Sequence, residues 1–272
     1  MRTVMMFILI FTSTASGGFE RTELSARARA LGGSYVGLAD DVWAIFFNAG
    51  GLTQLTRKEV SFLYVPEQFG LKELSCSAGA FAFPTGVGVI GFAGRRYGFD
   101  LYREFTGTIS YANTLSNVGI GFNLNYHSLS IKNYGSAGTV GIDIGILAPV
   151  FDQVRLGVSA KNINAPTIGS SRERLPQIFS TGIAYSAIED LSIMLDYQKE
   201  LGFDPSPRAG FEYRMADVVA IRGGVSDEPT EYSGGIGIKL SIFQIDYAYS
   251  SHQDLGATHI GSISIRWGDD ND

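Results

Sequence analysis

The chain has 272 residues, with 21 basic and 27 acidic side chains and a net charge of −6 at pH 7. It contains 34 Gly, 18 Phe, 13 Tyr and 2 Trp, but only 18% of its residues are charged, which excludes a disordered tail. A single cysteine, Cys76, excludes a domain held together by disulfide bonds. The acidic balance without a basic cluster excludes nucleic acid as a partner.

Residues 1–17 have the pattern of a signal peptide. Arg2 precedes the apolar run Val4–Phe11, and small residues follow at 13–17, so we expect cleavage near Ala15 or Gly17. The apolar run has eight residues, far fewer than the ~20 that a transmembrane helix needs. The chain is therefore predicted to be exported, and any membrane crossing must use strands.

Residues 18–57 lack the alternating pattern of strands. Gly32-Gly33 indicates a turn, and a short helix is predicted over 42–47, capped by Asp40 or Asp41 and ended by Asn48 and Gly50-Gly51. Because this helix is almost entirely apolar, its surface must be buried against other parts of the protein. We predict that residues 18–57 form a hatch inside a barrel.

From residue 58 onward, apolar and small or polar residues alternate. In Val118–His127, for example, Val, Ile, Phe, Leu and Tyr alternate with Gly, Asn and His. Turn residues interrupt this pattern about every 15 residues, which matches a tilted membrane strand of ~10 residues plus a short connection. The thirteen breaks predict about fourteen strands and fall at 66–70, 84–86, 98–100, 115–117, 133–138, 151–153, 164–174, 189–190, 202–207, 216–217, 227–230, 240–241 and 252–256.

The fold class predicted from this pattern is all-β: an outer-membrane antiparallel barrel over 58–268, followed by an acidic tail at 269–272. The alternative is a soluble β-sandwich, whose polar face usually carries Lys, Glu and Thr. Lysine occurs only six times here, which favours the barrel. Aromatic residues near strand ends are typical of interfacial girdles, and they are Tyr64, Tyr111, Tyr126, Tyr197, Tyr213, Tyr249 and Trp267. The predicted location is the bacterial outer membrane, with its lipid as a partner.

Two stretches carry a recognisable pattern. Residues 26–52 read ARARALGGSYVGLADDVWAIFFNAGGL, and the closing run 246–267 reads DYAYSSHQDLGATHIGSISIRW. Both resemble the FadL-like outer-membrane proteins, in particular the PorV/PorQ branch. The resemblance implies a fourteen-stranded barrel with an N-terminal hatch. Where the family has Asn-Pro-Ala, this chain has Asn48-Ala49-Gly50. The positions that match the family signature are Arg29, Ala30, Gly33, Tyr35, Val36, Ala39, Asp40, Asp41, Asn48, Gly51 and Leu52.

If apolar side chains face lipid, six charged side chains on successive later strands point into the barrel. These residues are Asp196, Glu212, Arg222, Lys239, Asp246 and Arg266. They form either an interior ladder of ion pairs or a polar track for a solute. The ladder is the stronger interpretation, because unpaired charges are costly to bury. We expect Arg222 and Lys239 to pair with Glu212 and Asp246.

No motif for catalysis is evident in the sequence. The three histidines are dispersed, and Gly86–Gly91 matches GxGxxG without the βαβ unit that a dinucleotide site requires. We therefore expect no cofactor, no metal site and no enzymatic activity.

The resemblance implies transport of small hydrophobic compounds, such as fatty acids, that leave the barrel sideways. The hatch residues Trp43, Phe46, Phe47 and Asn48 are the ligand candidates, although the aromatic ones fit a fixed plug core equally well. The alternative is an accessory barrel of type IX secretion, with secretion-system proteins as partners, or a purely structural barrel. The lack of long loops favours transport or a structural role.

Overall fold

The computed structural model describes residues 18–19 and 24–268. The predicted signal peptide at 1–17 and the acidic tail at 269–272 lie outside the described residues. Within the described part of the chain, no helix has the length and hydropathy needed to cross a membrane.

Within residues 24–268, fourteen strands form a closed antiparallel barrel, which confirms the predicted fold class and strand count. A separate two-stranded sheet of β8 and β9 lies in the connection from β7 to β10, a stretch that the sequence predicts only as a break. The strands are Lys58–Val65 (β1), Cys76–Thr85 (β2), Gly88–Gly98 (β3), Tyr102–Leu115 (β4), Val118–Ile131 (β5), Gly135–Phe151 (β6), Val154–Lys161 (β7), Thr167–Ile168 (β8), Glu173–Arg174 (β9), Ile178–Ile188 (β10), Leu191–Glu200 (β11), Ser206–Met215 (β12), Val219–Ser226 (β13), Glu231–Leu240 (β14), Phe243–His252 (β15) and Gly256–Trp267 (β16).

The first and last strands close the ring. β1 pairs with β16 in the register that places Glu59 opposite Arg266 and Ser61 opposite Ser264. Every other barrel strand pairs with the barrel strands before and after it. All backbone groups along the strands can therefore pair, as a strand structure in a bilayer requires.

The alternation predicted from sequence places the apolar side chains of each strand on the outer face of the barrel and the small or polar ones on the inner face. On β5, Phe122, Leu124 and Tyr126 are 50%, 53% and 53% exposed, whereas Asn123 and Asn125 are each 5% exposed. The outer face is thus apolar and aromatic, and the inner face is small or polar. This is the pattern of a barrel wall between lipid and a crowded interior.

The connections differ between the two ends of the barrel. At one end, all six connections contain only two or three residues, at 86–87, 116–117, 152–153, 189–190, 216–218 and 241–242. They share one end, here called the short-turn end, with the start of β1 and the finish of β16. The connections at the opposite, loop end contain from three residues, as at 99–101, up to the sixteen residues of 162–177.

Before the barrel, the chain forms two short helices and a 3-10 helix. The helix α1 spans Ala26–Ala30 and begins after Ser25, whose Oγ accepts a hydrogen bond from Ala28 N at 3.2 Å. The helix α2 spans Ala44–Phe47, two residues shorter at its start than predicted. The 3-10 helix spans Ala49–Gln54, and another one, Lys72–Leu74, lies in the first loop.

Residues 24–57, here called the N-terminal segment, cross the interior of the barrel. Helix α1 contacts β14 and β15, whereas the 3-10 helix at 49–54 contacts β5 and β6, which lie half-way around the ring. Ala26, Ala28, Leu31, Tyr35 and Leu52 are fully buried. A segment that touches opposite inner walls and is shielded from solvent lies within the lumen and occupies part of it.

Candidate functional site

Inward-facing glycines bring the N-terminal segment close to the wall. A Cβ at Gly145 would collide with Asn48 and with the backbone of Ala49, and a Cβ at Gly224 would collide with the backbone of Leu31 and Gly32. The small inner face of the wall is therefore a contact surface for the segment. At Gly145 and Gly224, the absence of a side chain allows the segment to pack directly against the backbone of the wall.

Asn48 joins the segment to itself and to the wall. Its Nδ2 donates to Val36 O and to Ile146 O, both at 2.9 Å, and its Oδ1 accepts from Gly50 N at 3.2 Å. Asn48 is 1% exposed. The structure thus places this ligand candidate in a structural bridge rather than at a free surface.

A network of ion pairs joins the segment to the later strands near the short-turn end. Glu212 Oε2 accepts from Arg222 Nε at 2.6 Å and from Arg27 Nε at 2.7 Å. Arg27 Nη1 also donates to Asp40 Oδ1 at 2.6 Å, and Arg222 Nη1 donates to Asp246 Oδ1 at 2.7 Å. Asp41 Oδ2 also lies 3.4 Å from Arg27 Nη1. Four carboxylates and two guanidinium groups therefore form one connected network between the segment and the wall.

The sequence analysis did not single out Arg27, which lies at the centre of this network. Its contact with Glu212 spans 185 residues of chain. The only sequence signal is its position in Ala26–Ala30, two residues before the signature residue Arg29. Arg29 itself donates to Ser250 Oγ at 2.9 Å and forms an ion pair with Glu231 at 2.9 Å.

The pKa values of the adjacent residues Asp40 and Asp41 shift in opposite directions. Burial acts to raise the pKa of Asp40, but the Arg27 guanidinium outweighs it and holds that pKa below its ordinary value. At Asp41, burial dominates and raises the pKa. Asp41 Oδ1 accepts from Trp43 N at 2.9 Å, so this side chain caps the turn before α2.

The remaining predicted charges take different roles. Asp196 Oδ2 accepts from the backbone nitrogens of Tyr35 and Val36 at 2.7 and 2.8 Å and thereby holds the segment. Arg266 Nε lies 3.1 Å from Glu59 Oε2, across the β1–β16 pair. Asp196 and Arg266 therefore make separate contacts, and the six predicted charges do not form one continuous ladder of ion pairs.

The predicted pairing of Lys239 with Asp246 is wrong. Asp246 is occupied by Arg222 and by Gln244 Nε2, which donates to it at 2.9 Å. Lys239 is exposed and is the second-last residue of β14, beside the short turn at 241–242. Lys239 keeps its inward orientation, since it lines the cavity at the short-turn end together with Arg27 and Gln244. At the mouth of the barrel its ammonium group reaches solvent and needs no buried partner.

A cavity of about 110 Å³ lies between the segment and the wall, toward the loop end. Leu24, Ile45, Phe46 and Phe47 line it from the segment. Strands and loops line the opposite side with Thr106, Thr108, Asn125, His127, Asp143, Asn162, Ser180 and Gln198. The cavity thus has an apolar side and a polar side.

The three aromatic ligand candidates separate in the structure. Phe46 and Phe47 border the cavity, whereas Trp43 is 2% exposed and packs behind Phe46 with ring centres 6.1 Å apart. Phe47 meets the ring of Tyr35 edge to face at 5.1 Å. Two of the candidates are therefore available to a ligand, and Trp43 supports them.

Among the described residues, no group of three or more His, Cys, Asp or Glu side chains is arranged to hold a metal ion. Cys76 is buried in β2.

We expect Gly224→Val to loosen the N-terminal segment and to expose Arg27 and Arg29 to trypsin. Both arginines are buried, at 8% and 6% exposure. Overpacking costs about 1–3 kcal/mol, so cleavage at these sites, followed by mass spectrometry, should accelerate roughly tenfold. Gly234→Val is the matched control, because the atom nearest to a Cβ there is 3.7 Å away. Equal cleavage of the two variants would contradict the tight contact.

No family model and no curated protein matches the chain. Several solved structures do match its fold. The CymD monoaromatic hydrocarbon channel aligns with a TM-score of 0.67 at 10% identity, over 90% of this chain and 97% of that one. The Pseudomonas putida toluene transporter TodX gives 0.67 at 11% identity, over 89% and 98%. A Pseudomonas aeruginosa FadL homologue gives 0.60 at 13% identity, over 92% and 99%.

At these identities the likeness concerns the fold. The closed barrel is of the kind found in FadL- and TodX-type channels. The narrower resemblance to the PorV/PorQ branch stays a prediction.

Proposed function

We propose that this chain is an outer-membrane barrel that passes small, largely apolar organic compounds. The observation that carries the proposal is the cavity bordered by Phe46 and Phe47 inside a closed barrel with an apolar outer face. The channels and transporters that share the fold support it. Barrels of this class have short periplasmic turns and longer external loops, so the cavity is on the external side.

The cavity alone does not provide a path for a compound through the barrel. The N-terminal segment crosses the lumen beyond the cavity, and hydrogen bonds with the side chains of Asp196 and Asn48 hold it in place. A compound that binds against Phe46 and Phe47 therefore advances only when the segment shifts or the wall parts. The family resemblance favours a sideways exit. On this proposal the segment acts as a hatch.

The test is uptake by cells that carry lipopolysaccharide and lack their own channel for hydrophobic compounds. We expect cells that produce the protein to take up labelled fatty acids or aromatic hydrocarbons faster than cells with an empty vector. Phe47→Asn should slow uptake roughly fivefold, because part of the ~1.5–3 kcal/mol of a buried phenylalanine surface is lost.

Val87→Asn is the matched control, since Val87 is 70% exposed in the turn at 86–87, away from the lumen. Uptake at the empty-vector level by correctly folded protein would overturn the transport proposal. A structural or secretion-related role would then remain.

A further inference from the structure

Gly18 and Phe19, the first described residues, lie against the inner wall toward the loop end of the barrel. Phe19 is 8% exposed and packs with Ile168 and Leu175 from the connection between β7 and β10. Its ring meets that of His127 edge to face, with centres 5.1 Å apart, and it also lines the cavity. The wall and the longest loop thus hold this pair of residues in a defined place.

A buried carboxylate binds the backbone of the pair. Glu104, the third residue of β4, is 3% exposed. Its Oε1 accepts from Phe19 N and from Tyr102 Oη, both at 2.8 Å. A Cβ at Gly18 would lie 3.0 Å from Tyr102 Oη and 3.6 Å from Glu104 Oε1. The backbone of Gly18 therefore comes as close to these two groups as a residue without a side chain allows.

The second oxygen of Glu104 lacks a comparable partner. Within the described part of the chain, Glu104 Oε2 is shielded from solvent and accepts no hydrogen bond. Arg95 Nη2 lies 3.7 Å from it, beyond the usual reach of about 2.7–3.2 Å for an N–H···O hydrogen bond. A carboxylate oxygen that is buried without a donor is costly. We therefore expect Oε2 to accept from a further donor, and a charged donor suits it best.

The predicted export signal supplies such a donor. In Ala15-Ser16-Gly17 the first and third residues are small, as signal peptidase requires for cleavage after Gly17. Hydrolysis of the Gly17–Gly18 bond consumes one water and leaves a carboxylate on Gly17 and an ammonium group on Gly18. The uncharged amide nitrogen of Gly18 thereby becomes a cation with several N–H donors.

The position of Gly18 brings this cation to Glu104. The nitrogens of consecutive residues are at most about 3.6 Å apart, and Phe19 N is already bound to Glu104 Oε1. Cleavage after Ala15, the other predicted site, would place the ammonium group two residues earlier, up to about 7 Å further along the chain. The contacts of Glu104 therefore favour cleavage after Gly17.

We propose that Glu104 is the binding site for the α-ammonium group of the mature chain, which begins at Gly18. The ammonium group donates to Glu104 Oε2, while Phe19 N donates to Oε1. The ion pair holds Phe19 at the loop-end side of the cavity, and it forms only after the signal peptide has been removed. This inference goes beyond the proposed function, because it applies whether or not the barrel passes any compound.

Acylation of the N-terminal amine tests this proposal. The chain is produced with its complete signal peptide and purified from the outer membrane in detergent, and N-terminal sequencing should find Gly18 as the first residue. An amine-acylating reagent reacts only with an accessible, uncharged amine, and mass spectrometry of the N-terminal peptide gives the rate. Glu104→Gln retains an oxygen for Phe19 N and removes the charge, so acylation should become roughly tenfold faster.

Glu73→Gln is the matched control, because Glu73 is an exposed carboxylate in the first loop at the same end of the barrel. It should leave the acylation rate unchanged. A second variant carries one asparagine inserted between Gly17 and Gly18, which moves the amine up to about 3.6 Å away from its place beside Glu104. This variant should be acylated as fast as Glu104→Gln, and it replaces that variant if heat-modifiable migration shows that Glu104→Gln has not folded.

A first residue other than Gly18 overturns the proposal. An acylation rate in the folded Glu104→Gln or insertion variant equal to that of the parent protein does so too, and so does an equal acceleration by Glu73→Gln. The uptake assay is independent of these results. Slow acylation that depends on Glu104, in a protein that takes up no compound, would keep this site and remove transport.

Discussion

Replacing Glu212 with leucine is expected to lower the free energy of unfolding by about 3 kcal/mol. Its carboxylate accepts from both Arg27 and Arg222, at 2.7 and 2.6 Å. Without it, Arg222 keeps only Asp246, and Arg27 keeps Asp40 and the more distant Asp41, so both buried guanidinium groups lose a charge partner. Urea unfolding in lipid vesicles measures the loss. Glu189→Leu, in the short turn at 189–190, is the control and should have little effect.

A double-mutant cycle shows whether Glu212 and Arg222 are coupled. Arg222→Leu alone leaves Asp246 without its guanidinium partner, and the double variant should lose less stability than the sum of the two single losses. The expected coupling is about 0.5–3 kcal/mol. The recovery is partial, since Arg27 loses Glu212 in the double variant. Strictly additive losses would contradict the contact.

Deleting residues 24–55 is expected to raise the single-channel conductance in planar bilayers several-fold. The deleted segment contacts strands half-way around the ring from one another and is almost entirely buried, so its removal leaves an open, polar-lined lumen. Heat-modifiable migration on a gel verifies that the shortened barrel has folded.

A deletion of residues 170–172, between β8 and β9, serves as the control, because it lies in a connection and leaves the lumen filled. Unchanged conductance of the folded long deletion would show that the segment does not block the ion path.

The barrel could be predicted from sequence because its strands obey a strong physical rule. Alternate side chains must face lipid, so runs such as Phe122, Leu124 and Tyr126 are apolar while their neighbours are not. All thirteen predicted breaks overlap observed connections or strand ends. The main shift concerns residues 135–138, where the glycine-containing stretch was assigned to a turn but belongs to the start of β6.

The site was less predictable because its contacts join distant parts of the chain. The helix α1 reads ARARA, which has too few residues for a helical period and no apolar stripe. Arg27 meets Glu212 across 185 residues, and the polar side of the cavity combines β4, β5, β6, β10, β11 and the β7–β10 connection. The partner of Lys239 was predicted wrongly for another reason, since the alternation gives the face of a side chain but not its depth in the barrel, and Lys239 lies at the mouth.

The pairing of β1 with β16 indicates where the barrel wall could open between two strands. Glu59 is fully buried and pairs with Arg266 at 3.1 Å, while Ser61 Oγ lies 2.8 Å from Ser264 Oγ and donates to Ile263 O at 3.0 Å. Separating β1 from β16 would leave the Glu59 carboxylate, two serine hydroxyls and the backbone groups of both strands without their hydrogen-bond partners. The seam between the first and last barrel strands is thus held by buried polar side chains. On the proposed transport function, a lateral exit for solutes is therefore expected between other strands.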